Sequence, residues 1–145
     1  MNSTDDTGVV AGPASHTHRP RGLAATGLMA TLAAMLANAL AAALARAVGV
    51  DFEVPDGGET IPVSGVAVVT GFFSVVGVVI AAALLRWSAH PDQRFVWTAM
   101  SLTAISLVPP LLSGADAATT TALLALHLVA ATVMIPTLAR SLSVR

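Results

Sequence analysis

The side chains of this chain that are best suited to chemistry are an imidazole and a carboxamide, both inside long apolar stretches. His127 is the only ionisable residue and Asn38 the only carboxamide within those stretches. Neutral imidazole has one donor and one acceptor, a carboxamide has both kinds of group, and each needs partners once it leaves water. If the stretches are helical, with about 1.5 Å of rise per residue, the two residues lie at similar depths. A contact between them across two helices is therefore predicted.

This pair has two interpretations. In the structural one, Asn38 and His127 form an interhelical hydrogen bond, worth about 0.6–2 kcal/mol, that fixes the register of the helices. In the functional one, they line a small polar cavity that binds a ligand or relays a proton, assisted by Thr103 or Ser106. An ionisable residue within a membrane favours a functional site. His127 has no acidic partner within the apolar stretches, however, so we favour the structural interpretation.

The elements that position these residues are four stretches without Asp, Glu, Lys or Arg: Leu23–Ala45, Val63–Leu85, Phe95–Leu112 and Ala117–Ala139. Each is close to the roughly 20 apolar residues that a helix needs to cross a bilayer. The chain has a mean hydropathy of +0.80 and 10% charged residues, whereas about a quarter are charged in soluble domains. We therefore predict an all-α, membrane-embedded four-helix bundle.

The predicted domain organisation follows from these stretches. Residues 1–22 are expected to be a disordered cytoplasmic tail, 23–140 the transmembrane domain and 141–145 a short cytoplasmic tail. A cleaved signal peptide is the less favoured interpretation of the first stretch, which is longer than the usual 7–15 apolar residues. Pro55–Gly58 predicts a turn in the first gap. The prolines at 109, 110 and 136 are expected to end helices near an interface, with a hinge as the alternative.

Small residues predict how the helices pack. Helices in lipid associate through close backbone approach, because lipid provides no hydrophobic drive between them. The first stretch carries a one-faced stripe of small and polar residues: Gly27, Thr31, Ala34, Asn38, Ala41 and Ala45. The second carries Gly71, Ser74 and Gly77 at steps of three. These faces are expected to lie inside the bundle.

Arginine distribution predicts the orientation. The termini and the second gap contain Arg19, Arg21, Arg86, Arg94, Arg140 and Arg145, whereas the first gap contains only Arg46 together with four acidic residues. The positive-inside rule then places both termini in the cytoplasm. Trp87 and Trp97 flank the second gap, where indole rings prefer the headgroup level.

Composition excludes several classes of function. The chain has no cysteine, so thiol chemistry and Cys-ligated metals are excluded. The apolar stretches contain no carboxylate of the kind that proton-coupled cation exporters use. A net charge of −1 gives no reason to expect nucleic acid as a partner. We expect no enzyme, no cofactor and no metal site, and a bis-His haem would require a symmetric dimer.

Two short motifs resemble a family of small, uncharacterised four-span bacterial membrane proteins. They are Ser106-Leu107-Val108-Pro109-Pro110 at the end of the third stretch and Leu126-His127-Leu128-Val129-Ala130-Ala131 in the fourth. In that family an Asn in the first span, a Pro-Pro near the end of the third and a His in the fourth occur together. The resemblance covers roughly Gly22 to Arg140 and implies the four-span fold, and it draws attention to Asn38 and His127 without implying a reaction.

We therefore expect a non-enzymatic integral membrane protein of the cell membrane. Its partners would be the lipid bilayer and other membrane proteins or further copies of the same chain. The alternative is a small-solute binding protein or permease that uses an intramembrane pocket of Asn38, His127, Thr103 and Ser106.

Overall fold

The computed structural model describes residues 18–55 and 59–143. The elements in these ranges are α1 (His18–Ala47), β1 (Glu53–Val54), β2 (Glu59–Thr60), α2 (Val63–Trp87), α3 (Pro91–Ser106), α4 (Val108–Leu112) and α5 (Ala117–Ser143). Four segments are long and apolar enough to cross a membrane: Arg21–Ala47, Val63–Trp87, Pro91–Leu112 and Ala117–Ser143. The third of these combines α3 and α4. The predicted all-α fold with four apolar, membrane-spanning helices is confirmed at this level.

Large apolar side chains lie on the outside of these helices. On α1, Leu28, Leu32, Leu36, Leu40 and Leu44 recur every fourth residue and are all exposed. Small residues of the same helix are buried, among them Ala30, Ala34 and Ala42. This arrangement is the reverse of a soluble helix, and it suits a hydrocarbon solvent, where backbone groups must bond within the helix and close packing holds helices together.

The first helix packs against both α2 and α5 and runs antiparallel to each. Gly27 near the start of α1 contacts Val78 late in α2, whereas Asn38 farther along α1 bonds Thr70 earlier in α2. The start of α1 packs against the end of α5 in the same way. The third helix packs mainly against α5 and also contacts α2.

Two apolar clusters form the core, one towards each end of the helices. The first joins the start of α1 to the end of α5 and includes Leu23, Ala30, Ala34, Ala81, Phe95, Met134, Leu138 and Leu142. The second consists of Ala42, Phe52, Val66 and Leu126. Asn38 lies in sequence between the α1 residues of the two clusters.

The helix ends differ from the sequence-based boundaries. Residues 18–22 belong to α1, although the sequence favoured a tail through residue 22; residues 1–17 of that predicted tail lie outside the described residues. Pro20 is compatible with this start. The backbone N–H groups in the first turn of a helix have no intrahelical partner, so a proline there costs no hydrogen bond. The last helix continues to Ser143, beyond the predicted domain end at residue 140.

The prolines have different effects. The third span breaks at Leu107, and α4 then begins with both prolines in its first turn, where the missing N–H groups cost little. By contrast, α5 runs through Pro136 without ending, so the expectation of a helix end at this proline is wrong. A transmembrane helix tolerates an internal proline when neighbouring helices and local adjustments compensate for the lost bond.

The first gap folds back on itself as a short hairpin. Glu53 pairs with Thr60 and Val54 with Glu59, in antiparallel register. These strands flank the predicted turn, of which residues 56–58 lie outside the described ranges. Ile61 donates its backbone N–H to the Phe52 carbonyl, which closes the hairpin towards the start of α2.

Candidate functional site

The buried polar contact between helices joins Asn38 of α1 to Thr70 of α2. The Asn38 Nδ2 donates to Thr70 Oγ1 over 2.8 Å. Asn38 is only 3% exposed and Thr70 8% exposed. A hydrogen bond shielded from water in this way contributes to helix association in a membrane, typically by about 0.6 kcal/mol and at most by about 2 kcal/mol.

Glycines allow α1 and α2 to approach closely on one side of this bond, towards the start of α1 and the end of α2. A Cβ placed at Gly27 would lie 2.8 Å from both methyl groups of Val78, and one at Gly71 would lie 2.8 Å from Met35 Sδ. Neither position has room for a larger residue without movement of its neighbour. The close backbone approach lets the short Asn38 side chain reach the Thr70 hydroxyl.

The other end of the Asn38 carboxamide has no partner. Its Oδ1 is buried and accepts no hydrogen bond, and it is the one such side-chain atom within residues 21–55 and 59–143. The side chains of Thr31 and Ser74 are also buried in α1 and α2. Asn38 therefore presents a free acceptor in a region where leaving a polar group unpaired costs about 1–3 kcal/mol.

His127 bonds within its own helix. Its Nδ1 lies 2.7 Å from the Leu123 carbonyl oxygen, one turn earlier in α5. A carbonyl oxygen can only accept, so Nδ1 carries the donated hydrogen, and Nε2 is the ring nitrogen that this bond does not use. The imidazole is half-buried. The predicted hydrogen bond between Asn38 and His127 is thus absent from the described structure, which pairs Asn38 with Thr70.

Of the two candidate residues on α3, Ser106 also uses its hydroxyl locally. Ser106 Oγ donates to the Thr103 carbonyl oxygen over 2.7 Å, and both residues are half-buried. No hydrogen bond between described residues links Thr103 or Ser106 to Asn38 or His127. The candidate pocket of these four residues remains a prediction. The structure shows three separate hydrogen bonds instead: Asn38 with Thr70, His127 with Leu123, and Ser106 with Thr103.

Sequence reasoning missed Thr70, which lies four residues before Ser74 and so shares its helix face. Serine and threonine within helices often bond their own i−3 or i−4 carbonyl, as Thr121 and Thr137 do here, and such residues give no sign of an interhelical role. The signal available was the i, i+4 spacing of Thr70 and Ser74 next to Gly71, which marks one small, polar face.

A second overlooked residue is Phe52 in the first gap. It is 1% exposed and has a φ of 54°, a left-handed conformation that is uncommon outside glycine. Its ring packs in the second core cluster, with the Arg46 guanidinium 5.9 Å from the ring centroid. Arg46 also donates to the Ile61 carbonyl oxygen over 2.6 Å. These contacts hold the segment between the two helices against the end of α1 and the start of α2.

At the same end, Asp116 caps α5. Its Oδ1 accepts from the Thr119 backbone N–H over 3.0 Å and its Oδ2 from that of Ala118 over 3.2 Å. Hydrogen bonds from the Thr119 side chain and backbone lower the pKa of the Asp116 carboxyl below its usual 3.8. The anionic form is thereby favoured next to the positive end of the α5 dipole.

The described residues do not contain three His, Asp or Glu side chains grouped as a metal ion would require. Within those ranges the polar atoms near the middle of the helices are instead hydrogen-bonding groups of Asn, Thr, Ser and His. They can hold helices in register or receive a hydrogen bond from a small polar molecule at Asn38 Oδ1.

Four antiparallel apolar helices with a buried polar bond between the first two define a small multi-pass membrane protein. The model of DUF6069, a family of unknown function, matches residues 18–144, and the chain belongs to this family. The resemblance inferred from the Pro-Pro and His motifs is thereby confirmed, since the family is one of unknown function and this chain has four helices long and apolar enough for a small four-span membrane protein. No curated protein and no solved structure is detectably similar to the chain.

Proposed function

We propose that this chain is a non-enzymatic protein of the cytoplasmic membrane, with both termini in the cytoplasm and a polar core that is structural. Its outer faces would act through contacts with lipid, other membrane proteins or further copies of the chain. The observation that carries this proposal is the buried Asn38–Thr70 hydrogen bond. It links α1 to α2 directly, as expected of a hydrogen bond that fixes the register of two helices.

The bonding of the other polar residues supports a structural core. His127 and Ser106 each bond a carbonyl oxygen of their own helix, where such a bond compensates polar groups that lipid cannot solvate. The exposed leucines of α1 supply an apolar surface of the kind that contacts lipid tails or a neighbouring helix.

The distribution of charge supports the orientation. Antiparallel packing brings the start of α1, the end of α2, the start of α3 and the end of α5 to one end of the protein. Arg21, Arg86, Arg94 and Arg140 belong to this end and Arg46 to the other, where Asp51, Glu53 and Glu59 also lie. The arginine-rich end is the one expected in the cytoplasm.

A comparison of Asn38→Ala and His127→Ala tests the structural role. Each variant and the wild type are purified in a mild detergent, and thermal unfolding and native mass spectrometry are measured on the same samples. We expect Asn38→Ala to lower the Tm more than His127→Ala, because only Asn38 bonds another helix. The wild-type spectrum should show the chain with lipids and without a small solute at constant stoichiometry. Ser106→Ala, whose hydroxyl bonds within α3, is the matched control.

The unpaired Asn38 Oδ1 favours one alternative, a small-solute binding protein or permease. In that case a small molecule at constant stoichiometry would accompany the wild type and disappear from Asn38→Ala and His127→Ala while the Tm of both variants stayed near that of the wild type. This outcome would overturn the structural proposal and give the mass of the solute.

A further inference from the structure

A groove of about 330 Å³ lies between the start of α3 and the end of α5. Its polar lining consists of Asp92, Gln93, Arg140 and Ser143, and Trp97 is its large aromatic side chain. The groove is remote in sequence from Asn38 and Thr70. The groove is open rather than enclosed, so it suits the headgroup of a lipid whose acyl chains lie outside it.

The groove contains two opposite charges that are not paired with each other. Among the residues that the structure describes, neither the Asp92 carboxylate nor the Arg140 guanidinium has a hydrogen bond or ion pair, and Ser143 Oγ donates to the backbone carbonyl oxygen of Arg140 instead. A guanidinium is well suited to a phosphate, to which it can donate two parallel hydrogen bonds. A carboxylate only accepts, so it suits a ligand group with N–H donors.

The groove also lies at the ends of two candidate spans, where lipid headgroups are expected. Asp92 and Gln93 are in the first turn of one candidate span, and Arg140 and Ser143 are in the last turns of another. Trp97, one of the two tryptophans in the chain, is 76% exposed. Such an exposed indole at a span end is typical of the interface between hydrocarbon and water.

We propose that this groove binds the headgroup of a zwitterionic phospholipid with a primary ammonium, as in phosphatidylethanolamine. Arg140 receives the phosphate and Asp92 accepts hydrogen bonds from the ammonium, while Gln93 and Ser143 supply further polar contacts. A phosphatidylglycerol headgroup lacks the cation that Asp92 requires. A phosphatidylcholine headgroup has the cation but no N–H to donate to the carboxylate.

Native mass spectrometry with added lipid tests this proposal on the full chain in detergent. Phosphatidylethanolamine, phosphatidylcholine and phosphatidylglycerol with identical acyl chains are titrated separately. We expect phosphatidylethanolamine to bind most tightly. Asp92→Asn should weaken its binding by about tenfold, the loss of one charge-assisted hydrogen bond, and leave phosphatidylglycerol binding unchanged or stronger. Arg140→Gln should weaken the binding of all three lipids, because each has the phosphate.

The matched control is Arg94→Gln, which removes an exposed arginine from α3 that does not line the groove. It should leave the order of lipid affinities unchanged. Equal loss of binding in Arg94→Gln and Arg140→Gln would overturn the proposal in favour of a general cationic surface. Tightest binding of phosphatidylglycerol to the wild type would overturn it in favour of an anionic-lipid site.

A lipid series on the wild type alone keeps the test independent of variant folding. Successive methylation of the ethanolamine nitrogen removes N–H donors and retains the charge. Binding should weaken along the series from the primary ammonium to choline. Equal binding of every member would overturn the role assigned to Asp92.

Discussion

Asn38 carries a bonded donor and an unbonded acceptor on one buried carboxamide. The stability of the α1–α2 contact therefore depends on which atoms remain after a substitution. Removing only the partner of Asn38 leaves an additional buried polar group without a bond, whereas replacing both residues by apolar ones removes the unpaired groups together.

Thr70→Val is accordingly predicted to be more damaging than the double variant Asn38→Leu/Thr70→Val. The single change strands the Asn38 amide and should lower the free energy of unfolding by about 1–3 kcal/mol. The double variant should recover part of that loss. Denaturant unfolding in mixed micelles measures both, and a double variant less stable than Thr70→Val would contradict this account.

At the scale of elements, the packing of α1 on α2 depends on glycines that differ in their surroundings. A Cβ at Gly27 would meet the branched, rotamer-restricted Val78 at 2.8 Å, whereas one at Gly77 would meet nothing within 4 Å. Both glycines lie in helix interiors, so the change to alanine brings a similar gain in helix propensity at each position.

Gly27→Ala is predicted to destabilise the protein and Gly77→Ala to be neutral or stabilising. Overpacking costs about 1–3 kcal/mol, which exceeds or cancels a propensity gain of about 1 kcal/mol. At Gly77 the propensity gain is unopposed. The Tm of the two variants in the same detergent checks this, and an equal shift at both positions would show that α1 and α2 do not approach as described.

The cap of α5 gives a prediction that depends on pH. Because the folded-state pKa of Asp116 is lowered, its stabilising effect is complete above the usual value of 3.8 and is lost as the pH falls through the lowered pKa. Asp116→Ala should reduce the Tm at neutral pH, and the difference from the wild type should shrink below pH 3.8.

Asp116→Asn is the matched control for this cap. An asparagine side chain can still accept a backbone hydrogen bond at an N-cap, so most of the Tm should be retained at neutral pH. Its stability should not show the acid-dependent loss. A constant difference between Asp116→Ala and the wild type from neutral to acidic pH would exclude the carboxylate as the cause.

For the whole molecule, the main property to test is its orientation in the membrane. The chain has no native cysteine, so single cysteines report one position at a time. His90 follows α2 and Asp51 follows α1, and both are exposed in gaps at opposite ends of the protein.

In intact cells, a membrane-impermeant maleimide is predicted to label Asp51→Cys and to spare His90→Cys. Both should be labelled after lysis, which controls for accessibility. The reverse pattern would place the termini outside and contradict the orientation proposed from the arginines. Labelling of both before lysis would contradict four complete spans.

The sequence by itself determined the number of apolar helices, because stretches without charge are set by the cost of placing charge in hydrocarbon and need no tertiary information. It also identified the small-residue face of α1, on which Asn38 is buried. It did not determine helix ends, as residues 18–22 and the continuation through Pro136 show, since these depend on compensation by neighbouring groups.

Only the tertiary structure decided which residue Asn38 bonds. Similar depth made His127 a reasonable partner, but depth does not specify how each helix is rotated. The close approach at Gly27 and Gly71 turns Asn38 towards Thr70, and His127 meets the nearer Leu123 carbonyl of its own helix. The same packing places Asp92 and Arg140 in one groove, although they are far apart in sequence. Pairings of this kind depend on rotation and distance between helices, which composition and spacing do not encode.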